Sequence, residues 1–130
     1  MSLYDTQLAV LANQASTYLL NGKEPKRMGN KHPSIVPYQL FEAKDGDIII
    51  ACGNDQQFKS LCNAFEWDFA NSKKFSTNKK RIKNRTELIS ELSNKLKKFK
   101  KEKIIKILNK AKVPVGTVSY THLRAHETVR

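Results

Sequence analysis

The chain has 130 residues, of which 39% are hydrophobic and 28% charged, and its formal net charge is +12. That length holds one domain or a piece of one, with a modest core. No apolar run approaches the roughly 18 residues of a membrane span, no signal peptide is visible, and Cys52 and Cys62 make neither a disulfide framework nor a paired metal motif, so a reducing cytoplasm is the expected compartment.

Ser2 to Leu20 reads as a helix. Ser2 and Asp5 are spaced as a capping box, Tyr4, Leu8, Leu11, Ala15 and Tyr18 form a stripe, and Asn21-Gly22 supplies the stop. Lys23 to Pro33 is a polar loop with Pro25, Gly29 and Asn30 in it. The stretch from Pro33 to Phe65 then reads as strand, tight turn, strand and helix. Residues 35–41 alternate with the period of a pleated strand, and Ile48 to Cys52 is a short apolar run rich in β-branched residues. Asp45-Gly46 is the expected two-residue turn, which sets Lys44 opposite Asp47 and Phe41 opposite Ile50. Pro37 cannot donate to a ladder, so the first strand is expected to have a free side. Asn54 with Gln57 is spaced as a helix cap, and Phe58, Leu61, Cys62 and Phe65 fall on one helical face that can lie on the hairpin.

Glu66 to Thr77 reads as a loop anchored by Trp67, Phe69 and Phe75, with Thr77 or Asn78 starting another helix. Asn84 with Glu87 suggests a further capping box, followed by Ile89, Leu92, Leu96 and Phe99 on one face. Glu102 to Lys112 repeats the pattern with Ile104, Ile107, Leu108 and Ala111, and Val113-Pro114-Val115-Gly116 ends it. The fold class is therefore α+β: an N-terminal helix, a β-hairpin with a packed helix, then C-terminal helices. From Val118 to Arg130 the lysine bias vanishes and no periodicity remains, so residues 117–130 are expected to be a non-native tail.

Charge is not spread evenly. Between Lys73 and Lys112 stand sixteen lysines and arginines against three glutamates, while the remaining 90 residues carry a net −1. Such a stretch can meet phosphates. It lacks interleaved aromatics, however, and a lysine-rich codon bias produces the same solvated face. His32 is the one histidine outside the tail and has no placed partner for acid–base work. His122 and His126 have helix-face metal spacing but lie in the suspect tail without a third ligand, so no metal is expected. Cys52 and Cys62 sit inside apolar patterns and read as core. Spacing alone assembles no acid pair, nucleophile–base pair or phosphate loop.

The chain resembles the family III CoA-transferases. The residues that carry the resemblance are Ser2-Leu3-Tyr4-Asp5, then Gly22, Pro25, Arg27, Gly29-Asn30 and His32-Pro33. Pro37-Tyr38, Phe41, Asp45-Gly46, Gly53-Asn54-Asp55 and Gln57-Phe58 continue it. Thr77-Asn78, Arg81, Asn84-Arg85, Leu88, Val113-Pro114 and Gly116 complete it. The resemblance implies a linking helix over 1–22 and, over 23–116, the small α+β domain of a larger α/β enzyme that works as a homodimer. It implies transfer of coenzyme A between carboxylic acids through an aspartyl-CoA thioester, with acyl-CoA and carboxylic acid as substrates and no permanently bound cofactor. None of Asp5, Asp45, Asp47, Asp55 or Asp68 matches the motif of the nucleophilic aspartate, so the chain is expected to hold no catalytic residue and to be inactive alone, an internal fragment. After Gly116 the family's Gly-Pro-x-Asn pattern is absent. Gly29, Asn30 and His32 fall near the family's substrate-covering loop, without its glycine run, and are the substrate-proximal candidates. The alternative is a stand-alone basic module that binds nucleic acid or an acidic partner; within the transferase reading neither nucleic acid nor a membrane is expected.

Overall fold

A computed structural model describes residues 2–118. The expected tail, including His122 and His126, lies outside the described residues from 119 onward. The N-terminal helix is divided at Leu11 into α1 (Leu3–Val10) and α2 (Ala12–Asn21). Ser2 caps it as its spacing indicates, with the Asp5 N–H donating to Ser2 Oγ at 3.3 Å. Gly22 closes α2 in the left-handed region at φ 67. Neither helix buries a residue, and Leu3, Tyr4, Val10, Leu19 and Leu20 stand in solvent.

The body is a three-stranded antiparallel sheet covered on one face by helices. The hairpin comprises β1 (Tyr38–Ala43) and β2 (Gly46–Ala51), and β3 (Val115–Thr117) pairs on the far side of β2. The third strand was not expected. Val113-Pro114-Val115-Gly116 is too short to show a period, and only the open flank of β2 makes it a strand. As the proline indicated, β1 is an edge strand.

The hairpin exists, but its turn is one residue earlier than the sequence suggests. Lys44 and Asp45 form the turn, Ala43 faces Gly46, and Phe41 faces Ile48 rather than Ile50. Moving the pairing by two residues keeps side-chain parity, so the inward set of Phe41, Ala43, Ile48 and Ile50 is unaffected. The cause lies outside the hairpin. Asp45 Oδ1 accepts the Lys101 N–H at 2.7 Å, and the Lys44 N–H donates to the Phe99 carbonyl at 2.9 Å. These bonds hold the turn against the connection between α5 (Arg85–Leu96) and α6 (Lys101–Lys110).

Helix α3 (Asp55–Ala64) is capped by Asn54 as expected, with Asn54 Oδ1 accepting from Gln57 N at 2.8 Å, whereas Gln57 Oε1 reaches one residue further back than a capping box and accepts from Gly53 N at 2.7 Å. Its Phe58, Leu61 and Cys62 meet Leu88, Leu92 and Leu96 of α5 and Ile104 and Leu108 of α6 in one core against the sheet, closed by Val36, Cys52, Phe75 and Val113. Between α3 and α5 run a 3₁₀ turn (Asp68–Asn71) and α4 (Asn78–Lys83), which Thr77 caps. The capping box expected at Asn84 does not form. Asn84 joins α4 directly to α5 and turns its amide back to the Lys74 and Lys80 carbonyls, while Glu87 pairs with Lys74 at 2.7 Å.

Candidate functional site

The segment that carries Gly29, Asn30 and His32 lies along the free edge of β1. Gly29 turns the chain at φ +63, a conformation in which a side chain is strained even though the space around it is open. Asn30 Oδ1 then accepts the outward N–H of Leu40 at 3.0 Å, and the His32 N–H donates to the Tyr38 carbonyl at 3.0 Å. The loop thus supplies edge-strand partners that β1 lacks. The His32 ring stacks on Tyr38 with centroids 5.2 Å apart, and its Nδ1 accepts from Ser34 N at 3.1 Å. A neutral imidazole that accepts at Nδ1 carries its proton on Nε2 and offers a donor there.

Residues more than forty positions away grip the same loop from behind. One nitrogen of Arg85, Nη2, donates to the His32 and Pro33 carbonyls at 3.0 and 2.9 Å. Asn78 donates its Nδ2 to the Ser34 carbonyl at 2.8 Å and accepts the Val36 N–H on Oδ1 at 3.1 Å. Arg81, wholly buried, donates Nε to the Val36 carbonyl at 2.6 Å, Nη1 to the Phe75 carbonyl at 3.1 Å and Nη2 to Asp55 Oδ1 at 2.7 Å, with its guanidinium 4.4 Å from the centre of the Phe58 ring. Asp55 Oδ1 also accepts the first N–H of α4, from Asn78, at 2.8 Å. The carboxylate therefore balances a buried cation and a helix N-terminus together, beyond the role in its own first turn that its position suggests. Burial pulls the Arg85 guanidinium below its ordinary value.

A cavity of about 360 Å³ opens between this loop and α2, lined by Asn13, Thr17 and Leu20 on one side and His32, Pro33 and Ser34 on the other. His32 is its one titratable group. A wider groove of about 540 Å³ between α3 and α6 holds a single ionisable side chain, Lys110, and so offers no acid–base pair. The structure thus places Gly29, Asn30 and His32 on one stretch and sets His32 at a cavity wall.

The other candidates are absorbed structurally. Asp45 caps α6. Asp47 stands opposite Glu42 in the hairpin. Cys52 and Cys62 are buried free thiols, and burial pushes them up to about 12 and about 11 respectively, so neither is a nucleophile. In the lysine-rich stretch the two arginines turn inward, while Phe65, Trp67, Phe69 and Phe99 pack on one another beneath Lys95 and Lys103. Among the described residues no group of three or more His, Cys, Asp or Glu side chains is gathered as a metal site requires. Pattern reading alone missed Asn78, Arg81 and Arg85 as a set. The available signal was arginine in a chain that otherwise uses lysine, because the planar fork of arginine suits several carbonyls at once.

Comparison with known proteins places this architecture. The model of CoA-transferase family III matches residues 1–130. The chain is 38% identical over 120 residues to a succinate–glutarate CoA-transferase of Agrobacterium fabrum, covering 92% of this chain and 30% of the relative. It is 38% identical over 119 residues to the human succinyl-CoA:glutarate CoA-transferase, 27% of whose length it covers. An acetyl-CoA:oxalate CoA-transferase of Acetobacter aceti is 35% identical over 117 residues. The crystal structure of a CaiB/BaiF family protein from Brucella suis superposes with a TM-score of 0.74 at 43% identity, over 94% of this chain and 32% of that one. The chain therefore spans about 30% of the length of the curated relatives it matches.

Proposed function

This chain belongs to CoA-transferase family III, and on that premise we propose that it is the linking helix and small domain of an enzyme that moves coenzyme A between two carboxylic acids. The observation that carries the proposal is the family match over residues 1–130 together with matches over 89–92% of the chain to enzymes named for that exchange. Those relatives bear the names of different acids, succinate with glutarate in two and oxalate in the third, yet are 35–38% identical to the chain. That supports a segment common to the reaction, with acid selectivity set elsewhere.

In this reading an aspartate outside the chain attacks the acyl-CoA carbonyl and forms a mixed anhydride. The released CoA thiolate attacks the aspartyl carbonyl, which expels the donor carboxylate and leaves an aspartyl-CoA thioester. The second carboxylate attacks that thioester and forms a new mixed anhydride as CoA thiolate leaves. The thiolate then attacks the acceptor's acyl carbonyl, giving the new acyl-CoA and freeing the aspartate. One hard acyl transfer becomes a series of easier ones. The domain bounds follow as 1–22 for the linking helix and 23–116 for the small domain, in a cytoplasmic homodimer. The Gly29–His32 stretch is the part of this chain that lies near substrate. Its support is the cavity at His32 and the amount of hydrogen bonding spent on holding an exposed loop in one shape.

Two assays test this. The 130-residue chain, given succinyl-CoA and glutarate, should form no glutaryl-CoA; turnover by the purified chain would sink the idea that its nucleophile lies elsewhere. In the parent enzyme Gly29→Val and Asn30→Ala should each slow turnover, and unchanged rates would remove the loop from the site.

A further inference from the structure

The peptide unit between Pro33 and Ser34 carries two of the contacts already described at its opposite ends. Its carbonyl is the Pro33 oxygen that Arg85 Nη2 holds at 2.9 Å, and its N–H is the Ser34 donor that meets His32 Nδ1 at 3.1 Å. A peptide unit is planar, so fixing the direction of the carbonyl fixes the direction of the N–H. The preceding unit is held by the same nitrogen through the His32 carbonyl at 3.0 Å, and the His32 N–H is held by Tyr38. Proline removes one further freedom, since its ring locks φ at position 33.

We propose that Arg85 is a positioning residue that sets the orientation and the proton-bearing nitrogen of His32 through the Pro33–Ser34 peptide plane. Arg85 does not touch the cavity and is not among its lining residues. Its effect runs through two carbonyls to one amide and from there to the imidazole, which is left with Nε2 as its N–H donor beside a cavity suited to a ligand oxygen. Arginine is required because one planar nitrogen presents two hydrogens to two adjacent carbonyls, which an ammonium on a flexible stem does less well. The proposal rests on the reading of Gly29–His32 as the substrate-proximal loop for its catalytic meaning, but its structural content stands apart from that reading.

The test is amide hydrogen exchange by NMR on the full 130-residue chain, comparing Ser34 and Val36 with core amides such as Phe41 and Ile48. In Arg85→Gln the Ser34 amide should exchange at least about tenfold faster, the scale expected when charge-assisted bonds to two carbonyls are removed, while the core amides hold their rates. The Nδ1 resonance of His32 should move toward that of a free imidazole at the same time. Arg85→Lys should fall between wild type and Arg85→Gln; it also serves as the deciding variant should the glutamine protein not fold. Unchanged Ser34 exchange in a folded variant, or acceleration that the core amides share equally, would overturn the proposal, the latter because it marks Arg85 as merely structural. If Ser34 loosens as described while turnover of the parent enzyme carrying Arg85→Gln is unaffected, the positioning role holds and the substrate-proximal reading of the loop is the part that fails.

Discussion

Replacing Arg81 with methionine is the sharpest test of how this domain is held together. The guanidinium is fully buried and makes three hydrogen bonds, two to the Val36 and Phe75 carbonyls and one to Asp55. Methionine keeps most of the volume against Phe58 but leaves both carbonyls without their donor. Each orphaned acceptor costs about 1–3 kcal/mol, and bonds to a charged donor sit at the high end, so a loss of about 3–5 kcal/mol is expected. Asp55→Asn should cost less, about 1–2 kcal/mol, because the side chain is 46% exposed and the amide oxygen can still accept from Arg81 and from Asn78. Urea unfolding followed by the fluorescence of Trp67, the single tryptophan, which stacks on Phe65 at 4.5 Å, reads both values. At about 4–8 °C per kcal/mol for a domain near this size, Arg81→Met should lower the melting midpoint by more than about 12 °C. Replacing Asp55 as well should not restore stability, since the two carbonyls stay orphaned. An Arg81→Met protein within about 1 kcal/mol of wild type would refute the reasoning, for it would mean that water or a local shift satisfies those carbonyls at no cost.

Other outcomes follow from the same contacts. Asp45→Ala removes the acceptor for the Lys101 N–H and should cost about 1 kcal/mol in urea unfolding, with Asp45→Asn costing less. Gly46 has φ +128, and a Cβ there would stand 3.0 Å from Lys101 Nζ, so Gly46→Ala should destabilise by about 1–3 kcal/mol from backbone strain, since the lysine tip can move aside. Neither cysteine should react with a thiol reagent at pH 8 in the native state, and both should react after unfolding. Their thiols are raised above the ordinary value of 9.0, so above that pH the folded chain keeps protons that the unfolded chain releases. Stability is then indifferent to these groups below about pH 8 and falls as pH climbs from about 9, through about 11 for Cys62 and towards about 12 for Cys52, a decline that Cys52→Ala with Cys62→Ala should flatten in a series of thermal melts.

Local pattern carried most of the element map. The stripe Phe58, Leu61 and Cys62 lies where its 3.6-residue period indicates, and so do Leu92, Leu96, Ile104 and Leu108, because a helix face is a property of neighbouring residues. The caps at Ser2, Asn54 and Thr77 form for the same reason, since each bond spans three residues. The cap at Asn84 fails where α4 runs straight into α5 and leaves no extended residue to serve it. Leu88 was missed beside Ile89, a one-position error in the facing of a helix whose orientation the sheet decides.

The sequence by itself determined which segments are apolar on one side, where most of the helices begin, and that a hairpin lies between Ile35 and Cys52, though its strands run over Tyr38–Ala43 and Gly46–Ala51 rather than 35–41 and 48–52. Tertiary structure decided the rest. The turn moved to Lys44-Asp45 because Asp45 serves a helix that begins 56 residues later. Three residues after Pro114 became a strand because β2 had a free flank. The loop at Gly29–His32 holds its shape through Arg85, 52 and 53 residues away from the carbonyls it grips. Hydrogen bonds across such separations form only once packing has brought their partners together and excluded water, and no periodicity in the chain records them.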